Sequence, residues 1–100
     1  MKHVILSADG DSVIYSVPDD VADQLEEYCY DFCCRWLWNS PDAAKYRTNG
    51  SVCYTERDFI DYLNKYKFPE QKSTPVLNLG WTELDAGIPA EYRSLPYFNF

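Results

Sequence analysis

The sequence predicts a single α+β domain spanning residues 1–100. Three observations lead there: two short apolar runs flank an Asp-Gly pair near the start, apolar residues recur at helical spacing from Val21 to Trp36, and a second helical pattern follows Thr55. One hundred residues is the length of one domain. A 46 % hydrophobic and 17 % aromatic composition excludes a disordered chain.

The opening HVILS and SVIYSV segments surround ADGD. Glycine takes the positive φ that tight turns demand, so Asp9-Gly10 marks a β-hairpin of residues 3–8 and 12–17. Val4, Leu6 and Ala8 share one face of the first strand; Val13, Tyr15 and Val17 share one face of the second. Pro18 closes the hairpin. Asp19 is the expected helix N-cap, with Asp20 and Asp23 in the first turn, where negative charge meets the positive end of the helix dipole.

Val21, Leu25, Tyr28, Cys29, Phe32 and Trp36 then fall on one side of a helix over 20–37, and Asp20, Asp23, Glu27 and Asp31 on the other. Arg35 suits the C-terminal end. Trp38, about 200° round from Trp36, is expected at the surface.

Ser40-Pro41 reads as a cap followed by a first-turn proline, and Asn49-Gly50 as a turn. SVCY, 51–54, reads as a short strand or extended link. Thr55 and Asp58 pair as a capping box, with Tyr54 stapled onto Phe59, and open a second, shorter helix over 56–66 that Phe68-Pro69 ends. From residue 75 onward, the VLNLGW stretch is a possible third strand through Leu79. The rest holds Trp81, Leu84, Ile88, Tyr92, Leu95, Tyr97, Phe98 and Phe100 among Gly87, Pro89 and Pro96. So apolar a segment is costly to expose, so it is expected to pack on the core or dock in a partner.

Charge narrows the function classes. The net charge is −7, and no Lys or Arg stands between His3 and Cys34, where eight acids do. Such a field repels nucleic acid and anionic membrane and attracts a basic protein surface. Lys65, Lys67 and Lys72 form only a local basic spot beside the second helix. No phosphate-cradling glycine pattern is present, and Asp9 and Asp11 lack the spaced ligands of a calcium loop. The apolar run Val4 to Leu6 is too short for a signal peptide, and no run approaches the roughly 20 residues of a membrane span, so the expected location is cytoplasmic.

CYDFCCRW, residues 29–36, concentrates three of the four cysteines. Cys29 and Cys33, four apart, share a helix face and are expected to pack as small hydrophobes. A zinc site would have to draw Cys29, Cys33, Cys53 and His3 together, without the paired knuckles of a zinc module. His3 is the sole histidine, and nothing in the sequence places it beside a thiol as a catalytic base.

The expectation is therefore a small acidic protein that acts by binding another protein, with no cofactor and with binding favoured over enzymatic chemistry. Asp20, Asp23, Glu27 and Asp31 are its electrostatic candidates, and Trp38, Tyr97, Phe98 and Phe100 its apolar ones. Spaced along a helix, those acids roughly resemble successive phosphates, as an inhibitor of a nucleic-acid-binding partner would present them. A homodimer closed by the aromatic C-terminal segment, a ligand-binding or enzymatic domain with a pocket between helix and C-terminal segment, and a zinc-stabilised module are the alternatives.

Overall fold

The computed structural model describes residues 1–8, 10–81 and 88–100, with Trp81 described in its backbone alone. Asp9 of the expected turn, and Leu84 and Gly87 of the aromatic segment, lie outside the described residues.

The hairpin forms as β1 (Lys2–Ser7) and β2 (Asp11–Val17), paired antiparallel with Val4 opposite Tyr15 and Leu6 opposite Val13. β5 (Thr74–Trp81) adds antiparallel to β2, and β6 (Tyr97–Asn99) adds parallel to β1, giving the order β5-β2-β1-β6. The possible third strand is thus a full one. A strand inside the aromatic C-terminal segment was not expected. The β2–β5 ladder slips register at Ser12/Val13 and again at Ile14/Tyr15, irregularities typical of a sheet edge.

The sheet is covered on both faces. Val4, Leu6, Val13, Tyr15 and Val17 face the helices and form one core with Val21, Leu25, Cys29, Phe32, Leu37, Phe59 and Leu63. Ile5 and Ile14 point the other way and are buried with Ile88, with Leu79, Tyr92, Leu95 and Tyr97 packed around them. The C-terminal segment therefore covers the chain's own sheet. The unbroken apolar run Val4-Ile5-Leu6 is the signature of a strand buried on both sides.

The long helix is not continuous. α1 (Asp19–Asp23) stops at Gln24, whose φ of −128° and ψ of 42° leave the helical region. α2 restarts at Leu25–Tyr30, widens into a π-helical stretch over Asp31–Trp36 and ends at Leu37–Asn39. Asp19 is also not the cap: Pro18 holds that position, and the Asp19 carboxylate pairs with the N-terminal ammonium at 3.0 Å. Arg35 reaches back one turn to Asp31 at 2.8 Å.

Ser40 caps the next turn, its Oγ accepting from the Asp42 N–H at 3.2 Å, and a 3-10 helix runs Pro41–Tyr46. β3 (Arg47–Thr48) and β4 (Ser51–Val52) close a small hairpin on Asn49 and Gly50, both at positive φ (47° and 81°), the combination a type I′ turn requires. α3 (Glu56–Tyr62) starts with the Thr55 N–H donating to Asp58 Oδ2 at 2.8 Å and continues as a π turn, Leu63–Lys67. The staple from Tyr54 to Phe59 runs through Phe32 and Phe100, each of which contacts both rings. No helix among the described residues is long and apolar enough to cross a membrane.

Candidate functional site

The break at Gln24 creates the site. Val21, Ala22 and Leu25 are all buried, and the backbone departs from helical geometry between them at Gln24. The chain consequently has two helix starts in close succession, and each carries an acidic pair in its first turn: Asp19 and Asp20 on α1, Glu26 and Glu27 on α2. Negative charge is favourable at both ends, because each exposes N–H groups without helical acceptors.

Beside the break the C-terminal segment returns to pair with β1, the Ile5 N–H donating to the Pro96 carbonyl at 2.8 Å. This brings Pro96 and Tyr97 against the helix start. Together they bound a groove of about 520 Å³ lined by Ala22, Asp23, Gln24, Leu25, Glu26, Glu27, Pro96 and Tyr97. Carboxylates line one side of it and the Pro96-Tyr97 segment the other.

The electrostatics of the groove are set by which acids are already paired. Asp23 accepts from Lys2 Nζ at 2.7 Å, and that contact raises the Lys2 pKa. The N-terminal ammonium, by hydrogen bonding, lowers the pKa of Asp19. Asp20, Glu26 and Glu27 are exposed, and among the described residues no cationic group lies within 4.0 Å of them. Asp31 is half-buried and held by Arg35.

Of the residues singled out from sequence, the structure brings Asp23, Glu27 and Tyr97 together in this groove. Asp20 sits one turn away on α1, across the break that interrupts the expected regular ladder of acids. Asp31 and Trp38 lie farther along α2 and outside the groove lining, with Trp38 44 % exposed. Phe98 and Phe100 do not join it either. They meet edge to face at 4.9 Å, and Phe100 also meets Phe32, Tyr54 and Phe59, so both rings belong to the rim of the core. Exposed Tyr30 lies edge-on to Phe98 at 5.5 Å. Glu26, Gln24 and Pro96 were missed; the repeated acidic pair, Asp19-Asp20 then Glu26-Glu27, is the signal of two helix starts that would have found them.

The cysteines are dispersed. Cys29 is fully buried, and burial, then the neighbouring Cys33, pushes its thiol well up. Cys33 Sγ lies 3.6 Å from Cys34 Sγ and bonds Tyr54; burial and Cys34 raise its pKa to about 11. Cys34 and Cys53 are exposed, as is His3 on β1. All four thiols are free, and among the described residues no three His, Cys, Asp or Glu side chains are grouped to hold a metal ion.

No family model matches the chain, and no curated protein or solved structure matches it.

Proposed function

We propose that the protein is a non-enzymatic binding protein that captures a basic segment of another protein in the groove at the α1–α2 break. One observation carries the reading: Glu26 and Glu27, free of any cationic partner among the described residues, stand in one groove with Asp23 and the Pro96-Tyr97 segment. A lysine or arginine side chain suits such a groove, its charge on the carboxylates and its stem along the Pro96-Tyr97 segment. The lining offers carboxylates and an amide, with neither thiol nor histidine, which favours recognition over group transfer.

The partner is a protein with a basic surface rather than nucleic acid or a membrane, as the charge of −7 favours. Free cysteines suit a reducing compartment, and the reading places the protein in the cytoplasm, as a monomer or a homodimer. An arginine-rich peptide labelled with a fluorophore is the probe. Fluorescence anisotropy should report saturable binding that weakens with salt and falls about tenfold or more in the Glu26→Gln/Glu27→Gln variant. Equal affinity of wild type and variant rejects the groove as the site.

A further inference from the structure

The molecule carries a second, oppositely charged groove, and the two π-helical stretches build it. Trp36 closes the π stretch of α2, while Lys65 and Tyr66 lie in that of α3. A π turn inserts an extra residue and re-aims the side chains around it, and such turns recur at functional sites. Here Trp36 meets Tyr62 at 5.0 Å, Tyr66 at 5.2 Å and Tyr46 at 6.1 Å. These rings line a groove of about 570 Å³, together with Lys45, Lys65, Lys72, Asn64, Asp42 and Asp61.

Its three ammonium groups are held by neutral partners. Lys45 Nζ lies 5.0 Å over the Tyr46 ring, Lys65 Nζ lies 5.4 Å over the Tyr66 ring, and Lys72 Nζ donates to the Asn64 carbonyl at 3.2 Å. Among the described residues none of the three has a carboxylate within 4.0 Å, even though Asp42 and Asp61 line the same groove. In a chain with sixteen acids and nine bases, this is an unusual gathering of positive charge. The two carboxylates remain available as acceptors for N–H groups.

We infer that this groove binds a nucleoside monophosphate, with the phosphate on Lys45, Lys65 and Lys72, the base against the Trp36/Tyr46/Tyr66 rings, and base N–H groups donating to Asp42 or Asp61. Size and charge select that class. The volume is that of a small-ligand site, and a polyanion would meet the protein's overall negative field. An inorganic anion alone would leave the rings and the two acceptors unused. Among bases guanine fits best, because its N1–H and 2-amino group present adjacent donors to one carboxylate.

Calorimetric titration of the full chain with GMP, guanosine and inorganic phosphate, read alongside amide chemical shifts, tests this. GMP should bind saturably, with guanosine and phosphate each weaker by about tenfold or more. Shift changes should centre on Lys45, Tyr46, Asp61 to Tyr66 and Lys72. K65Q/K72Q, which alters surface lysines and should keep the wild-type circular dichroism, should lose about tenfold in GMP affinity. D42N/D61N separates recognition from repulsion: GMP should weaken while phosphate tightens. GMP binding no tighter than phosphate, wild-type affinity in K65Q/K72Q, tightened GMP in D42N/D61N, or shifts centred elsewhere would each overturn the assignment.

Discussion

Asn64 reads the backbone of Ser73 through both ends of its amide. Oδ1 accepts from the Ser73 N–H at 2.6 Å, and Nδ2 donates to the Ser73 carbonyl at 3.0 Å. The pair ties α3 to the chain just before β5. The Ser73 hydroxyl, by contrast, is buried with no hydrogen-bond partner among the described residues. The two residues should therefore respond oppositely to alanine. N64A should cost about 1–3 kcal/mol by stranding two backbone groups, while S73A should be neutral or stabilising by up to about 1 kcal/mol. Urea unfolding of both variants checks the contrast; a loss of stability in S73A matching that of N64A would refute it.

Phe32 is the centre of the aromatic core. It is fully buried and contacts Trp36, Tyr54, Phe59, Tyr62 and Phe100, rings from every layer on the helical side. Phe32→Ala should cost about 3–5 kcal/mol, and Phe32→Leu markedly less, because leucine refills most of the volume. Thermal melts and near-ultraviolet circular dichroism would measure both.

The four thiols should be distinguishable by alkylation. Exposed Cys34 and Cys53 should label first at neutral pH. Cys33, raised from 9.0 to about 11, should react more slowly at neutral pH than a thiol at 9.0, and its rate should climb as pH approaches 11. Buried Cys29 should label only as the fold opens. Peptide mapping by mass spectrometry after timed quenching reads the order; early labelling of Cys29 would contradict it.

Alkali should destabilise the protein through its tyrosines. Burial first, then Cys33 for Tyr54 and Asp31 for Tyr62, raises both phenols from 10.0 to about 12. The folded state therefore holds their protons more tightly than the unfolded state does. Their contribution is complete below pH 10 and is lost as pH rises from 10 to 12. Asp19, shifted downward, acts at the other end: its contribution is present above the ordinary carboxylate range and fades as pH falls through its lowered value. Denaturant midpoints across pH, with tyrosinate absorbance recorded in parallel, would show the alkaline loss.

Local pattern made part of this structure readable in advance. The hairpin, the Ser40-Pro41 turn, the Asn49-Gly50 turn and the start of α3 each rest on residues adjacent in sequence whose backbone demands are strong, and each formed. β6 was not readable, because Tyr97-Phe98-Asn99 becomes a strand only by contact with β1, where Ile5 pairs Tyr97 from far away in the chain. The helix break was hidden by the apolar stripe, which continues in phase through Gln24 while the backbone does not. Glu26 fell off the acid spacing for that reason. Asp23, Glu27 and Tyr97 could each be named from sequence, but their convergence depends on where the last strand returns.

That return has a consequence for how the protein is made. β1 is an inner strand with β2 on one side and β6 on the other, the Phe100 N–H reaching back to the Ser7 carbonyl at 2.9 Å. A strand near residue 5 is thus completed only by one near residue 98, which is synthesised well after it. Until residues 97–99 emerge, β1 keeps an open edge and Ile5 and Ile14 lack part of their cover, so the nascent chain is best served by late assembly. Contacts of such long sequence separation also slow folding, and a chain stalled before them would present the translation machinery and its chaperones with an unfinished sheet.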